Sequence, residues 1–173
     1  ATEVMERCKA DEEKKKAASI EGALVSLDPR TGEIISYVGG YEFSTRNQLD
    51  CVSQIIRQPG SSFKPMVYAS AIQNRTITPS TVLVDEKTEF GDGYSPDNYT
   101  GRYEGDIIAR EALKRSVNVV AVKVLTGTGY DRLMKILSRG LDLSTGETAR
   151  RFGRTPSLAL GTYEISPMEN AVL

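Results

Sequence analysis

Histidine is absent from all 173 residues, and no other feature of the chain excludes as much chemistry. Without it there is no Ser-His-Asp or Cys-His catalytic arrangement, no histidine general base and little of the ligand set that transition metals favour. The two cysteines, Cys8 and Cys51, cannot complete a usual zinc site, and the sequence leaves open whether they pair or stay free. No cofactor or metal is called for. An excess of charge of either sign is also missing: a net charge of -1 builds no basic field for a phosphate backbone, so nucleic acid is not an expected partner. The longest apolar run, residues 119–125, is interrupted by Lys123 and is too short to cross a bilayer. No signal peptide is visible at Ala1.

With histidine excluded, a nucleophilic enzyme of this composition needs a lysine, a carboxylate or a terminal amine as its base. Residues 57–65, R-Q-P-G-S-S-F-K-P, offer one. Ser61 and Lys64 stand three apart, so in a first helical turn they face the same way. Gly60 allows a sharp entry, and Pro65 is tolerated in a helix only near its start. Ser61 is therefore expected at a helix N-terminus, where free N–H groups favour developing negative charge. By itself S-x-x-K is close to a chance match in a chain of this length.

The rest of the chain reads as one domain of mixed elements, with 39% hydrophobic residues sufficient for a real core. Residues 1–19 form a charged, helix-favouring lead-in. Residues 23–27 and 33–38 are apolar runs around the turn D-P-R-T-G, which predicts a β-hairpin covered on both faces by helices. Val67, Tyr68, Ala71 and Ile72 predict a buried helix over 64–74. Residues 78–105 hold most of the turn-forming residues and read as a long surface excursion. A helix is expected over 107–115, with Ile108 and Ala112 inward, followed by the polar break Ser116-Val117-Asn118. The valine-rich 119–125 favours a strand by propensity. Leu133, Ile136, Leu137 and Leu141 predict an amphipathic helix. Ser166-Pro167-Met168-Glu169 is a capping box that opens a helix only four residues before Leu173, so the chain is expected to be part of a domain.

Two motifs in order, S-S-F-K at 61–64 and S-V-N at 116–118, resemble the active-site serine penicillin-recognising enzymes, whose first two motifs are S-x-x-K and S-x-N. The resemblance is closest to the transpeptidase domain of the class A, bifunctional penicillin-binding proteins. It extends to A-L-V-S-L-D-P-R-T-G-E-I-I-S-Y-V-G-G, Y-S-P-D-N-Y-T-G-R-Y-E-G, R-E-A-L-K-R-S-V-N-V-V-A-V-K and L-G-T-Y-E-I-S-P-M-E, covering residues 20–173.

The resemblance implies an α+β architecture, a partial penicillin-binding or serine β-lactamase-like fold. Its antiparallel sheet would hold the N-terminal hairpin but lack later strands. It implies that Ser61 is acylated, that Lys64 is its general base, that Ser116 passes the proton to the leaving amine, and that Asn118 holds a substrate amide. It also implies that 119–125 is a buried helix, against the propensity. Peptidoglycan stem peptides and β-lactams become the expected partners. The setting becomes the extracytoplasmic face of a bacterial inner membrane, with the parent protein anchored outside this segment. Two departures stand out. The family's helix cap near Ile108 is missing, which leaves Asp106 as the expected cap. The third motif, K-T-G or K-S-G, occurs nowhere in the chain.

The enzyme reading carries an expectation that the segment alone is inactive. A serine β-lactamase or D,D-carboxypeptidase is the near alternative, although S-D-N is the usual second motif of class A lactamases. A noncatalytic β-lactam-sensing module is the alternative from another class. Two ways of keeping such a piece folded are open: strands supplied by a second chain, or an exposed sheet edge.

Overall fold

The D-P-R-T-G segment turns the chain for identifiable reasons. The Asp28 carboxylate accepts a hydrogen bond from the Arg30 N–H at 2.8 Å, the Asp28 N–H donates to the Glu33 carbonyl at 2.8 Å, and Gly32 adopts φ +76°, which needs no Cβ. The turn joins β1 (Leu24–Leu27) to β2 (Ile34–Val38), antiparallel with Leu24 opposite Val38 and an irregularity after Ser26. The computed structural model describes residues 21–42, 44–45 and 47–173. The lead-in expected over 1–19 and Cys8 lie outside the described residues, as does Ile20 at the expected start of the domain.

The chain divides into two compact units. In the first, residues 21–57 and 165–172, helix α6 (Pro167–Val172) packs against β1, and Arg57 forms an antiparallel bridge with Ile165. The expected capping box is present: the Glu169 N–H donates to Ser166 Oγ at 3.1 Å and the Ser166 N–H to Glu169 Oε2 at 2.8 Å. The expected cover on both faces of the hairpin is not. All five residues of β2 are exposed, Ile35 at 65%, because one six-residue helix against two strands offers too little surface to cover both faces.

The second unit, residues 58–164, holds the main core. A 3-10 turn, Gly60–Phe63, leads into helix α1 (Lys64–Gln73), whose Val67, Tyr68 and Ala71 are buried while Ile72 is exposed. The expected surface excursion is a correction: β3 (Val82–Asp85) pairs antiparallel with β4 (Gly105–Ile108). Val82-Leu83-Val84 is a three-residue apolar signal masked by the turn residues around it. The expected helix over 107–115 shrinks to α2 (Ala109–Lys114), with Ile108 at its N-cap and no side-chain cap. Asp106 cannot cap it, since it lies in β4 opposite Val84.

Residues 119–125 fall in helix α3 (Asn118–Thr128), with seven of its eleven residues buried. Valine costs a helix only a fraction of a kcal/mol per residue, about 0.7 at most, and burying each side chain returns more, about 1.5–3 kcal/mol. Packing thus overrides the strand propensity. Helix α4 (Tyr130–Gly140) buries Leu133 and Leu137 as expected and Met134 in addition, whereas Ile136 is only half-buried and Leu141 lies half-buried just past the helix end. Helix α5 (Thr145–Arg151) was not expected, yet Ser144 and Glu147 form a complete capping box at its start. Among the described residues no helix is long and apolar enough to cross a membrane.

Candidate active site

Ser61 and Lys64 sit where the opening motif puts them, in and just after the 3-10 turn. Gly60 has φ +58°, and its N–H donates to the Gly161 carbonyl at 3.2 Å. The two backbones meet so closely that a Cβ on Gly161 would stand 2.2 Å from the Gly60 carbonyl oxygen. Gly161, the glycine of L-G-T-Y, is thus a steric requirement of the serine turn. Burial of Phe63 holds the other end of that turn.

Lys64 is 1% exposed. Its Nζ donates to the Ser116 carbonyl at 2.6 Å, to Ser116 Oγ at 2.9 Å and to Asn118 Oδ1 at 2.7 Å. Those three bonds use every proton of the ammonium. Burial still lowers its pKa from the model-peptide value of 10.5 to about 8, since desolvation penalises the charged form.

Ser116 pays for its role in backbone conformation. Its φ is +56°, a left-handed geometry rare outside glycine and asparagine that costs about 1–3 kcal/mol. Ser116 lies between the end of α2 and the start of α3, and both its carbonyl and its hydroxyl meet Lys64 in this conformation.

Asn118 opens helix α3 and is itself fixed from behind. Its Nδ2 donates to the Asp97 carbonyl at 2.9 Å. Asn98, which is buried, accepts the Asn118 and Val119 N–H groups on Oδ1 at 3.0 and 3.2 Å. It therefore caps α3 from a distant loop, where the helix has no side-chain cap of its own. Asn98 Nδ2 donates to both oxygens of Asp85 at 2.9 Å and to the Arg102 carbonyl at 3.0 Å. The fully buried Asp85 also accepts the Glu104 N–H at 2.9 Å. Sequence reasoning assigned no role to Asp85 or Asn98. S-P-D-N carried the signal, but its partner Asp85 is 13 positions away and nothing in the spacing links them.

Ser61, Ser116 and Asn118 line one cleft of about 440 Å³, together with Asn98, Thr100 and Arg102. Lys64, Ser116 and Asn118 form one hydrogen-bonded cluster. The Ser61 hydroxyl is exposed and, among the described residues, makes no hydrogen bond to that cluster. The arrangement offers a buried amine with a depressed pKa, a neighbouring hydroxyl able to accept and donate, and an amide held in one orientation, all beside an exposed serine.

The fold and this cleft are those of a chain that sets an S-x-x-K motif beside an S-x-N motif. A family model described as the penicillin-binding protein transpeptidase domain matches residues 22–171. The chain belongs to that family. It is similar to penicillin-binding protein 1A of Pseudomonas aeruginosa, 40% identical over 156 residues that cover 87% of this chain and 18% of the relative. It is also similar to penicillin-binding protein 2D of Bacillus subtilis, 37% identical over 164 residues, or 88% of this chain and 22% of the relative. Among solved structures it resembles penicillin-binding protein 1A from Haemophilus influenzae, with a TM-score of 0.73 and 30% identity, covering 86% of this chain and 22% of the other. The chain thus spans about a fifth of the length of these relatives.

Proposed function

We propose that this chain carries the nucleophile and base of a peptidoglycan D,D-transpeptidase, working at the extracytoplasmic face of a bacterial inner membrane. Ser61 Oγ attacks the carbonyl of the D-Ala-D-Ala bond while its proton passes to neutral Lys64. Ser116 hands a proton to the departing amine, D-Ala leaves, and the acyl group remains as an ester on Ser61. An amine of a neighbouring stem peptide then attacks that ester and releases the serine. Asn118 holds an amide of the donor strand. A β-lactam acylates the same serine.

The observation that carries this reading is the Lys64 cluster. A lysine at the ordinary pKa is a poor base at neutrality, and burial has lowered this one to about 8. Before Ser61 can deliver its proton, Lys64 must lose one of the protons it shares with Ser116 and Asn118.

The segment by itself is expected to turn over no substrate, because no K-T-G or K-S-G is present to supply the third motif's cation and strand edge. Fluorescent penicillin provides the test. The 173-residue chain should take no stable label, while a longer protein containing it should be labelled on Ser61 and lose the label in Ser61→Ala. Stable labelling of the short chain overturns its inactivity. An unlabelled Ser61 in the longer protein overturns the function, and rapid loss of the label there points to a β-lactamase or carboxypeptidase.

A further inference from the structure

Helix α4 presents Arg132, Lys135 and Arg139 at spacings of three and four, which puts all three cations on one face. All three are exposed, and none forms an ion pair among the described residues. Elsewhere in this unit Arg75, Lys87, Arg102, Arg110 and Arg150 are likewise without an ion pair among the described residues, but no two of them share a helix. Lys114 and Arg115 pair with Glu111, Arg115 also with Glu104, Lys123 with Glu86, and Arg154 with Asp131. Like charges at these spacings destabilise a helix, so an unpaired stripe of three needs a reason.

The stripe forms one wall of a cleft of about 320 Å³ whose other wall is Gln73 and Asn74, at the end of α1, and no acidic residue lines it. One reason for cations there would be to satisfy the carbonyls of that helix end, but three of its last four are already engaged. The Ser70 carbonyl accepts from the N–H and Nδ2 of Asn74, the Ala71 carbonyl from the N–H and Oγ1 of Thr76, and the Ile72 carbonyl from the Arg75 N–H. The cations and the Gln73 amide are left facing the cleft. Lys135 and Arg139 also border a second cleft, of about 370 Å³, walled by Met134, Thr148 and Ala149 and by the Asp131–Arg154 ion pair, which leaves that carboxylate neutralised by its own partner.

We propose that these clefts bind a phosphate ester. The phosphate lies against Arg132, Lys135 and Arg139, and the less polar ester portion lies in the neighbouring cleft beside Met134 and Ala149. Three cations suit a phosphoryl group, which offers more oxygens than a single carboxylate, and guanidinium groups match those oxygens in pairs. The three cations lie on α4, which contributes no residue to the Ser61 cleft, and occupancy of their site does not depend on acyl transfer.

The test uses the isotope-labelled 173-residue chain, titrated by NMR with glucose 1-phosphate in 150 mM salt and mixed separately with phosphatidylglycerol or phosphatidylcholine vesicles for co-flotation. Amide shifts confined to residues 73–75, 130–140 and 145–149 identify a soluble phosphate ester as ligand. Flotation with phosphatidylglycerol alone identifies a lipid headgroup. In either case Arg132→Gln/Lys135→Gln/Arg139→Gln should weaken binding at least tenfold, with the remaining amide spectrum unchanged as proof of folding, while Arg110→Gln should change nothing. Failure of both probes to bind, or equal binding by the triple variant, overturns the proposal.

Discussion

Strand β2 and helix α3 are both short runs dominated by aliphatic side chains, and they meet opposite fates. Every residue of Ile34–Val38 is exposed, whereas seven of the eleven residues in Asn118–Thr128 are buried. Hydrophobic content therefore says that a run is suited to burial, not that it is buried. The difference lies in partners. Helix α3 is packed by α1 and by the 3-10 turn Pro156–Leu160, and its first turn is fixed by Asn98 and Lys64. Strand β2 has β1 along its edge and little over its faces.

The largest test of this contrast is truncation. Leu125→Ala, at a position 1% exposed, should cost about 2–5 kcal/mol, against a change within about 0.5 kcal/mol for the exposed Ile35→Ala, both read by urea unfolding. Equal costs would mean that β2 is covered in solution. Next in size is the polar fixing of α3. Asn98→Ala strips two helix N–H groups of their acceptor and Asp85 of a donor, for a loss of about 1–3 kcal/mol. Penicillin acylation in the longer protein should also slow, because Asn118 loses its support. Unchanged stability would show that the loop does not hold the helix.

The last test is the titration of Lys64, read as a slope of stability against pH rather than as a single loss. Its folded pKa, about 8, lies below the unfolded value near 10.5, so between those values the unfolded chain binds the extra proton. The sign follows directly: this group makes the fold more stable as pH rises from about 8 to 10.5, by at most about 1.4 kcal/mol per pH unit. Below pH 8 both states are protonated and the slope vanishes. The difference in unfolding free energy between the native chain and Lys64→Met, followed from pH 7 to 10, should show that rise. A flat difference would mean that the lysine keeps its ordinary pKa.

Much of the architecture was legible because it is written in local signals. The D-P-R-T-G hairpin, the α4 stripe and the Ser166 capping box each depend on residues a few positions apart. The Ser144 box was equally local and was passed over. The β3–β4 pair was not legible, since pairing joins residues twenty or more positions apart and the intervening turns hide the strands. For α3 the resemblance to the family named the helix, while propensity alone named a strand.

The candidate site divides in the same way. Sequence by itself determined its membership: no histidine, a serine and lysine three apart after Gly60, and S-V-N further on. It also determined that any base had to be a lysine, a carboxylate or an amine. Only the tertiary structure decided that Lys64 is buried with all three protons engaged, that Ser116 takes a left-handed backbone, and that Ser61 stands outside the cluster. It alone revealed that Gly161 must lack a side chain and that Asp85 and Asn98 brace the second motif. The physical reason is that residue type sets which reactions are open, whereas desolvation and hydrogen-bond geometry depend on neighbours brought together from some fifty positions away.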